Sequence, residues 1–197
     1  MFHHDAAMKH EIMMGLPQLF FVLVAAAMLN AVTVNQQIYR NEEFGTTLPI
    51  PDSAHLCPEP ENEHIHGPVM LLGTAEAKGC GDLEHSRSIL IFASYNVADD
   101  TKKLPDFLKW QCGGPCLPPP SDLRITGLPS AAARVNRSEG WIDIIVVTQA
   151  GKPDPDFDPS VPLINYDLRL HTKPEHLKED LRVFRTVLET VRLSPAQ

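Results

Sequence analysis

The sequence predicts an α+β domain, an antiparallel β-sheet with a long C-terminal helix and one shorter helix packed on it, and three observations carry that expectation. Along residues 164–171, Ile164, Tyr166, Leu168 and Leu170 alternate with Asn165, Asp167, Arg169 and His171, the two-residue period of a strand with one buried and one wet face. Beyond it Leu177, Leu181, Phe184, Leu188 and Val191 recur at steps of four, three, four and three, an apolar stripe on a helix of about twenty residues. Between the two, Thr172 and Glu175 have capping-box spacing and Pro174 falls in the first turn, where its missing N–H costs nothing. Neither apolar face is stable in water alone, so the helix must lie across a sheet that contains the strand.

The remaining elements follow in chain order. Residues 35–43 read as a polar linker that opens the domain at residue 44. Residues 44–51 (FGTTLPIP) form a short β segment that Pro49 and Pro51 confine to a sheet edge. Residues 52–68 carry three prolines, four acids and no period, and are expected to be an exposed loop. Residues 69–73 are a brief apolar strand. Residues 87–97 (RSILIFASYNV) are the first long strand, too continuously apolar in its middle to be wet on either face. The segment Asp99-Asp100-Thr101 can start the shorter helix, with Leu104, Phe107 and Leu108 on one face. Residues 123–128 read as another strand, and residues 134–148 as a hairpin turning at Ser138-Glu139-Gly140. Residues 151–162 (GKPDPDFDPSVP) form a proline-rich acidic loop that leads into the closing strand and helix.

Composition limits what such a domain can meet. Seventeen Lys and Arg stand against 25 Asp and Glu, a net charge of −8, which disfavours nucleic acid and anionic lipid as partners. Residues 16–34 (LPQLFFVLVAAAMLNAVTV) hold no charge and follow Lys9, the pattern of a cleaved export signal or of a retained membrane anchor. Both readings deliver a single domain, residues 44–197, to the periplasmic side of an inner membrane. Membrane contact is expected only through residues 16–34, if they are retained.

Four cysteines, Cys57, Cys80, Cys112 and Cys116, all follow that segment, and an even count in an exported chain argues for two disulfides. Three pairings are possible. Cys57 with Cys80 and Cys112 with Cys116 is favoured, because the second pair straddles a Gly-Gly-Pro turn that can bring two Cα atoms within bonding range.

Other clusters speak less clearly. Glu63, His64 and His66, with His55 and Cys57 nearby, resemble metal ligands, but no third ligand has diagnostic spacing and a solvated polar loop is the reading adopted. Asp154, Asp156 and Asp158 alternate like a calcium loop, yet Pro159 stands where an EF-hand needs glycine and Asn165 where it needs glutamate. His171 and His176 read as surface histidines, without a serine or cysteine partner at a telling spacing. No nucleophile elbow, phosphate loop, zinc-protease motif or dinucleotide fingerprint is present. Neither cofactor nor metal is expected, and no enzyme activity.

The stretches FGTTLPIP, LEHSRSILIFASYN and RVNRSEGWIDIIVVTQAGKPDPDFDPSVPLINYDLRLHT, with the closing helix ending VLETVRL, resemble a group of small exported proteobacterial proteins, some similar to periplasmic immunity proteins against type VI secretion effectors. The closing strand and helix also look like the PsbP-like α+β sandwich. The resemblance spans about residues 40–195 and implies a binding protein without enzymatic activity; no site residues carry over. The expectation is therefore a disulfide-bonded periplasmic domain that binds another protein, such as a secreted toxin it neutralises. Glu61, Glu63, Asp154, Asp156 and Asp158 would meet a basic partner surface. An envelope accessory or ligand-binding protein of PsbP-like fold is the alternative, and a hydrolase or metal enzyme using His64 and His66 ranks third.

Overall fold

The alternating stretch at residues 164–171 becomes an inner strand of a six-stranded antiparallel sheet. The computed structural model of the chain describes residues 36–58, 66–73, 80–153, 155–156 and 158–194. In chain order the elements are β1 (Ile38–Asn41), β2 (Thr46–Pro49), β3 (Ala54–Leu56), β4 (Val69–Leu72), β5 (Ser88–Tyr95), α1 (Leu104–Cys112), β6 (Ser130–Asn136), β7 (Ile142–Ala150), β8 (Ile164–Thr172), α2 (Leu177–Thr190) and β9 (Arg192–Leu193). The large sheet runs β3-β4-β5-β8-β7-β6, and a small one runs β1-β2-β9. The architecture is α+β, as the sequence predicts. The export or anchor segment at residues 16–34 lies outside the described residues, and none of the described helices is long and apolar enough to cross a membrane.

Both faces of the large sheet are covered. Ile89, Ile91, Ile144, Val146, Ile164, Tyr166, Leu168 and Leu170 face α2, whose Leu181, Phe184, Val187 and Leu188 complete the main core. Each such side chain, fully buried, contributes about 1.5–3 kcal/mol. The small sheet joins this core through Phe44, Leu48 and Leu193, and the buried Tyr166 hydroxyl donates to the Phe44 carbonyl at 2.5 Å. On the opposite face Phe107 and Cys112 of α1 pack on Ala133, Val135, Ile145 and Val147. A third apolar cluster of Cys57, Val69 and Leu71 lies beside Cys80, Leu83 and Leu90.

That second cover corrects the reading of β8. Asn165 and Asp167 were expected in water, but they are buried, at 2% and 1% exposure. Strand alternation distinguishes polar from apolar faces and cannot show that a second layer lies over the polar one.

Four further expectations change. Residues 38–41, read as linker, are β1, because they pair with β2 from Ile38↔Pro49 to Asn41↔Thr46. Accordingly β2 is the middle strand of its sheet rather than an edge, its prolines falling where pairing ends. Residues 54–56, read as loop, pair with β4 as β3. Residues 123–128 form no strand; Leu123 and Ile125 insert into the main core from an irregular segment, with the Ile125 N–H donating to Ser130 Oγ at 3.0 Å.

The helix start also differs. Thr172 ends β8 and its hydroxyl donates to Asp180 Oδ2 at 2.5 Å instead of closing a capping box with Glu175. Residues 173–176 are turn, so α2 is 14 residues long. Arg87 donates to both oxygens of Asp180, at 2.9 and 2.5 Å, and Asp180 is buried. A bidentate charged pair in this position sets where the first turn of α2 docks on the sheet.

Candidate functional site

Two places combine chemistry with access, and they lie at opposite ends of the large sheet. The register pairs Ser88 with His171 and Asp143 with His171 at one end, and Tyr95 and Ala150 with Ile164 at the other. At 3.3 Å per residue the ends are roughly 25 Å apart.

The first place is the histidine end. Asp143 points from β7 to the face covered by α1, buried at 3% exposure. His171 Nδ1 donates to its Oδ1 at 2.6 Å and Arg137 Nε to its Oδ2 at 2.7 Å, with Arg169 3.6 Å away. Burial alone would raise the Asp143 carboxyl, but the hydrogen bonds from His171 and Arg137 and the charge of Arg169 hold it below the usual carboxylate value. Arg169 also donates to Asp167 at 2.7 Å and to Gln111 of α1 at 3.0 Å. Asp167 behaves in the opposite sense. Its burial outweighs the attraction of Arg169 and raises its carboxyl above the usual value, while its Oδ1 and Arg169 Nε make no hydrogen bond.

The outward ring nitrogen of His171 lies 3.1 Å from the Glu84 carbonyl oxygen, and Trp141 stacks on the ring at 4.4 Å between centroids, with Lys173 over the indole. A cavity of about 150 Å3 opens here, lined by residues that include Arg137, Ser138, Trp141 and His171. His171 is therefore not the surface histidine expected, because two strands and a turn enclose it. The sequence did contain a signal for this cluster. Asp143 is the one carboxylate in the apolar run WIDIIVV, and a charge in a strand apolar on both faces needs buried partners.

The second place is the acidic end. Tyr95 and Val97 are large apolar side chains left 48% and 49% exposed. Exposed acids Glu42, Glu43, Asp99, Asp100 and Asp156 stand at the same end, together with Lys102, Lys103 and Lys152. Tyr95 OH donates to Glu43 at 3.3 Å. The loop of residues 151–162 is tied down here: the Asn96 N–H donates to the Leu163 carbonyl at 2.7 Å, and Lys102 bridges Asp99 at 2.7 Å and Asp158 at 2.9 Å. Bonds from the Ser160 hydroxyl and N–H and from Lys102 lower the Asp158 carboxyl to about 2.

Of the residues predicted to meet a partner, Asp156 and Asp158 lie at this end, Asp158 engaged within the loop and Asp156 exposed. Glu61, Glu63 and Asp154 lie outside the described residues, as does His64 of the possible ligand set. His66 packs against Phe44 with the rings tilted and their centroids 4.7 Å apart, and His55 is exposed. No group of three or more His, Cys, Asp or Glu able to hold a metal ion occurs among the described residues. The disulfides join Cys57 to Cys80 and Cys112 to Cys116. They suit an exported protein. The second spans Gly113, whose positive φ of 59° ends α1, and leads to Leu117, which bridges Arg134 on the outer edge of β6.

No protein family model matches the chain, and no curated protein sequence does. Among solved structures the chain is similar to LpqN, involved in cell envelope biogenesis of Mycobacterium tuberculosis, with a TM-score of 0.46 and 18% identity over 77% of this chain and 84% of that one.

Proposed function

We propose that this protein is exported to the periplasm, where it binds another protein through its acidic end, and that the partner is a secreted toxin that it inhibits. The observation that carries this reading is the exposed pair Tyr95 and Val97, set among exposed acids beside a loop already tied to the sheet. An apolar centre with a charged rim is the general anatomy of a protein interface. A loop held in place before contact loses little freedom on docking. The acids outnumber the lysines, which suits a basic partner surface.

The histidine end supports binding over catalysis. Both ring nitrogens of His171 are engaged, and Asp143 already accepts from His171 and Arg137, so neither is poised toward an incoming substrate.

The test is capture by the full chain, purified with its disulfides intact, from secreted and envelope fractions of its source. We expect one stoichiometric, basic protein whose toxic activity falls when it is bound. Reversing charge at Glu43, Asp99 and Asp156 together should weaken that binding by at least tenfold and steepen its loss with salt. Unchanged affinity would remove the acidic end from the interface. Capture of an envelope-assembly component instead would replace the inhibitor reading with that of an accessory protein.

A further inference from the structure

The two disulfides differ in access, and the difference gives one of them a chemistry that partner binding does not use. Cys57 is 7% exposed and Cys80 is half-buried, both packed in the apolar cluster with Val69, Leu71 and Leu83. Cys112 is fully buried beneath the end of α1, whereas Cys116 stands in the exposed run of residues 113–118. We propose that Cys112–Cys116 is an exchangeable disulfide, opened by an external dithiol that attacks the Cys116 sulfur, and that opening it uncovers the outer edge of β6.

Exchange goes to the sulfur that an incoming thiolate can reach, and here that is Cys116. The approach is open: a groove of about 560 Å3 runs past Trp110, Gly113 and Gly114, and a Cβ added at either glycine would meet nothing within 4 Å. The thiolate bonds to Cys116 Sγ as the Cys112–Cys116 bond breaks. The electron pair of that bond leaves on Cys112 Sγ, which takes a proton from water. The second thiol of the reductant, as its thiolate, then displaces Cys116 from the mixed disulfide. The dithiol departs as a disulfide, two electrons poorer, and both cysteines remain as thiols. Arg137 Nη1 donates to the Cys112 carbonyl at 3.4 Å, which fixes a positive charge near Cys112 while its thiolate forms.

The fold does not depend on this bond. Phe107 packs on Ala133, Val135, Ile145 and Val147, and Gln111 Oε1 accepts from Arg169, so α1 stays on the sheet without it. Its sequence separation is only 4, against 23 for Cys57–Cys80, so opening it frees little chain. What it frees is the cover of a sheet edge. The large sheet ends at β6, and Leu117, next in the chain to Cys116, exchanges both backbone hydrogen bonds with Arg134 at 2.9 Å. Among the described residues no other bridge covers that edge. A bridge one residue long gains little by itself, and the disulfide beside it holds Leu117 in register. With the bond open, the exposed Gly113 and Gly114 let the segment swing away. The outer side of β6 is then left with unpaired N–H and C=O groups.

The experiment is a titration of the full, oxidised chain with mixtures of reduced and oxidised dithiothreitol. Free thiols are trapped with N-ethylmaleimide and located by peptide mass spectrometry, and circular dichroism is recorded at each ratio. Cys112 and Cys116 should open at a reduced-to-oxidised ratio about tenfold lower than Cys57 and Cys80, since the difference in ring size alone is worth about that factor. The spectrum should not change over that first step. Hydrogen exchange in the same buffer should show protection of Leu117 and Arg134 lower by about tenfold while that of β7 and β8 holds. Cys112→Ala leaves the exposed sulfur and Cys116→Ala the buried one, and the first should form a mixed disulfide with oxidised glutathione about tenfold faster. Opening of Cys57–Cys80 first or in the same step overturns the proposal, as does loss of the folded spectrum in the first step. So do equal rates in the two variants, or unchanged protection of Leu117 and Arg134.

Discussion

Asp143 shows how one buried carboxylate organises its surroundings. Alone it would oppose folding, and with Arg137, His171 and Arg169 around it the charged form is the favoured one. Because its value in the folded state is lowered, the stability it contributes is present above the unfolded carboxylate value and is lost as pH falls through the lowered one. We expect unfolding free energy to decline on acidification below about pH 4, and Asp143→Asn to flatten that decline, as read from urea midpoints at a series of pH values. Gly67 makes a different kind of demand. A Cβ there would stand 1.9 Å from the Ile91 carbonyl oxygen, because His66 and Pro68 accept the Ala93 and Ile91 N–H groups and bring the backbones together. The need for glycine at that position is invisible in the sequence, since nothing local marks it.

At the scale of elements, the docking of α2 is decided by one buried carboxylate rather than by its apolar stripe alone. A stripe tolerates sliding along the sheet, whereas Asp180 meets Arg87, just before β5, and Thr172, at the end of β8, each at a single position. Truncating it leaves the Arg87 guanidinium without its buried partner. Asp180→Ala should therefore cost about 3–5 kcal/mol. Thr172→Val, which removes one hydrogen bond but leaves the ion pair, should cost about 1 kcal/mol. Equilibrium denaturation of the two variants tests the contrast, and equal costs would deny Arg87 its role. The stripe itself was legible, with Leu181, Phe184 and Leu188 where the period places them, but the start of the helix was not. Thr172 and Glu175 have the right spacing for a cap, and tertiary contact with Asp180 takes the hydroxyl instead.

For the whole molecule, the two disulfides constrain very different lengths of chain, with sequence separations of 23 and 4. Loop-closure entropy then predicts unequal losses when each is removed by paired Cys→Ser changes, about 3.5 kcal/mol for Cys57–Cys80 and about 2 kcal/mol for Cys112–Cys116. Thermal unfolding of the two variants should rank them in that order. The longer bridge also joins the β3 segment to the chain leading into the turn beside His171, so its loss should loosen the histidine end while the acidic end, across the sheet, keeps its partner affinity.

The sequence by itself determined the α+β class, the strand and helix periods of residues 164–191, the hairpin about residues 138–140 and the acidic balance of the surface. These are local or compositional properties, and side-chain period or charge count carries them directly. Only the tertiary structure decided which polar residues are wet. Asp143, Asp167 and Asn165 are buried because α1 and its neighbours cover the second face of the sheet, and a strand pattern cannot announce the layer above it. It alone also placed residues 38–41 in a sheet and drew His171 against the Glu84 carbonyl. His171 and Glu84 stand 87 residues apart, where periodicity has no reach and long-range packing is the only cause, whereas residues 38–41 pair within a local hairpin with residues 46–49 and are too short a run to show a period.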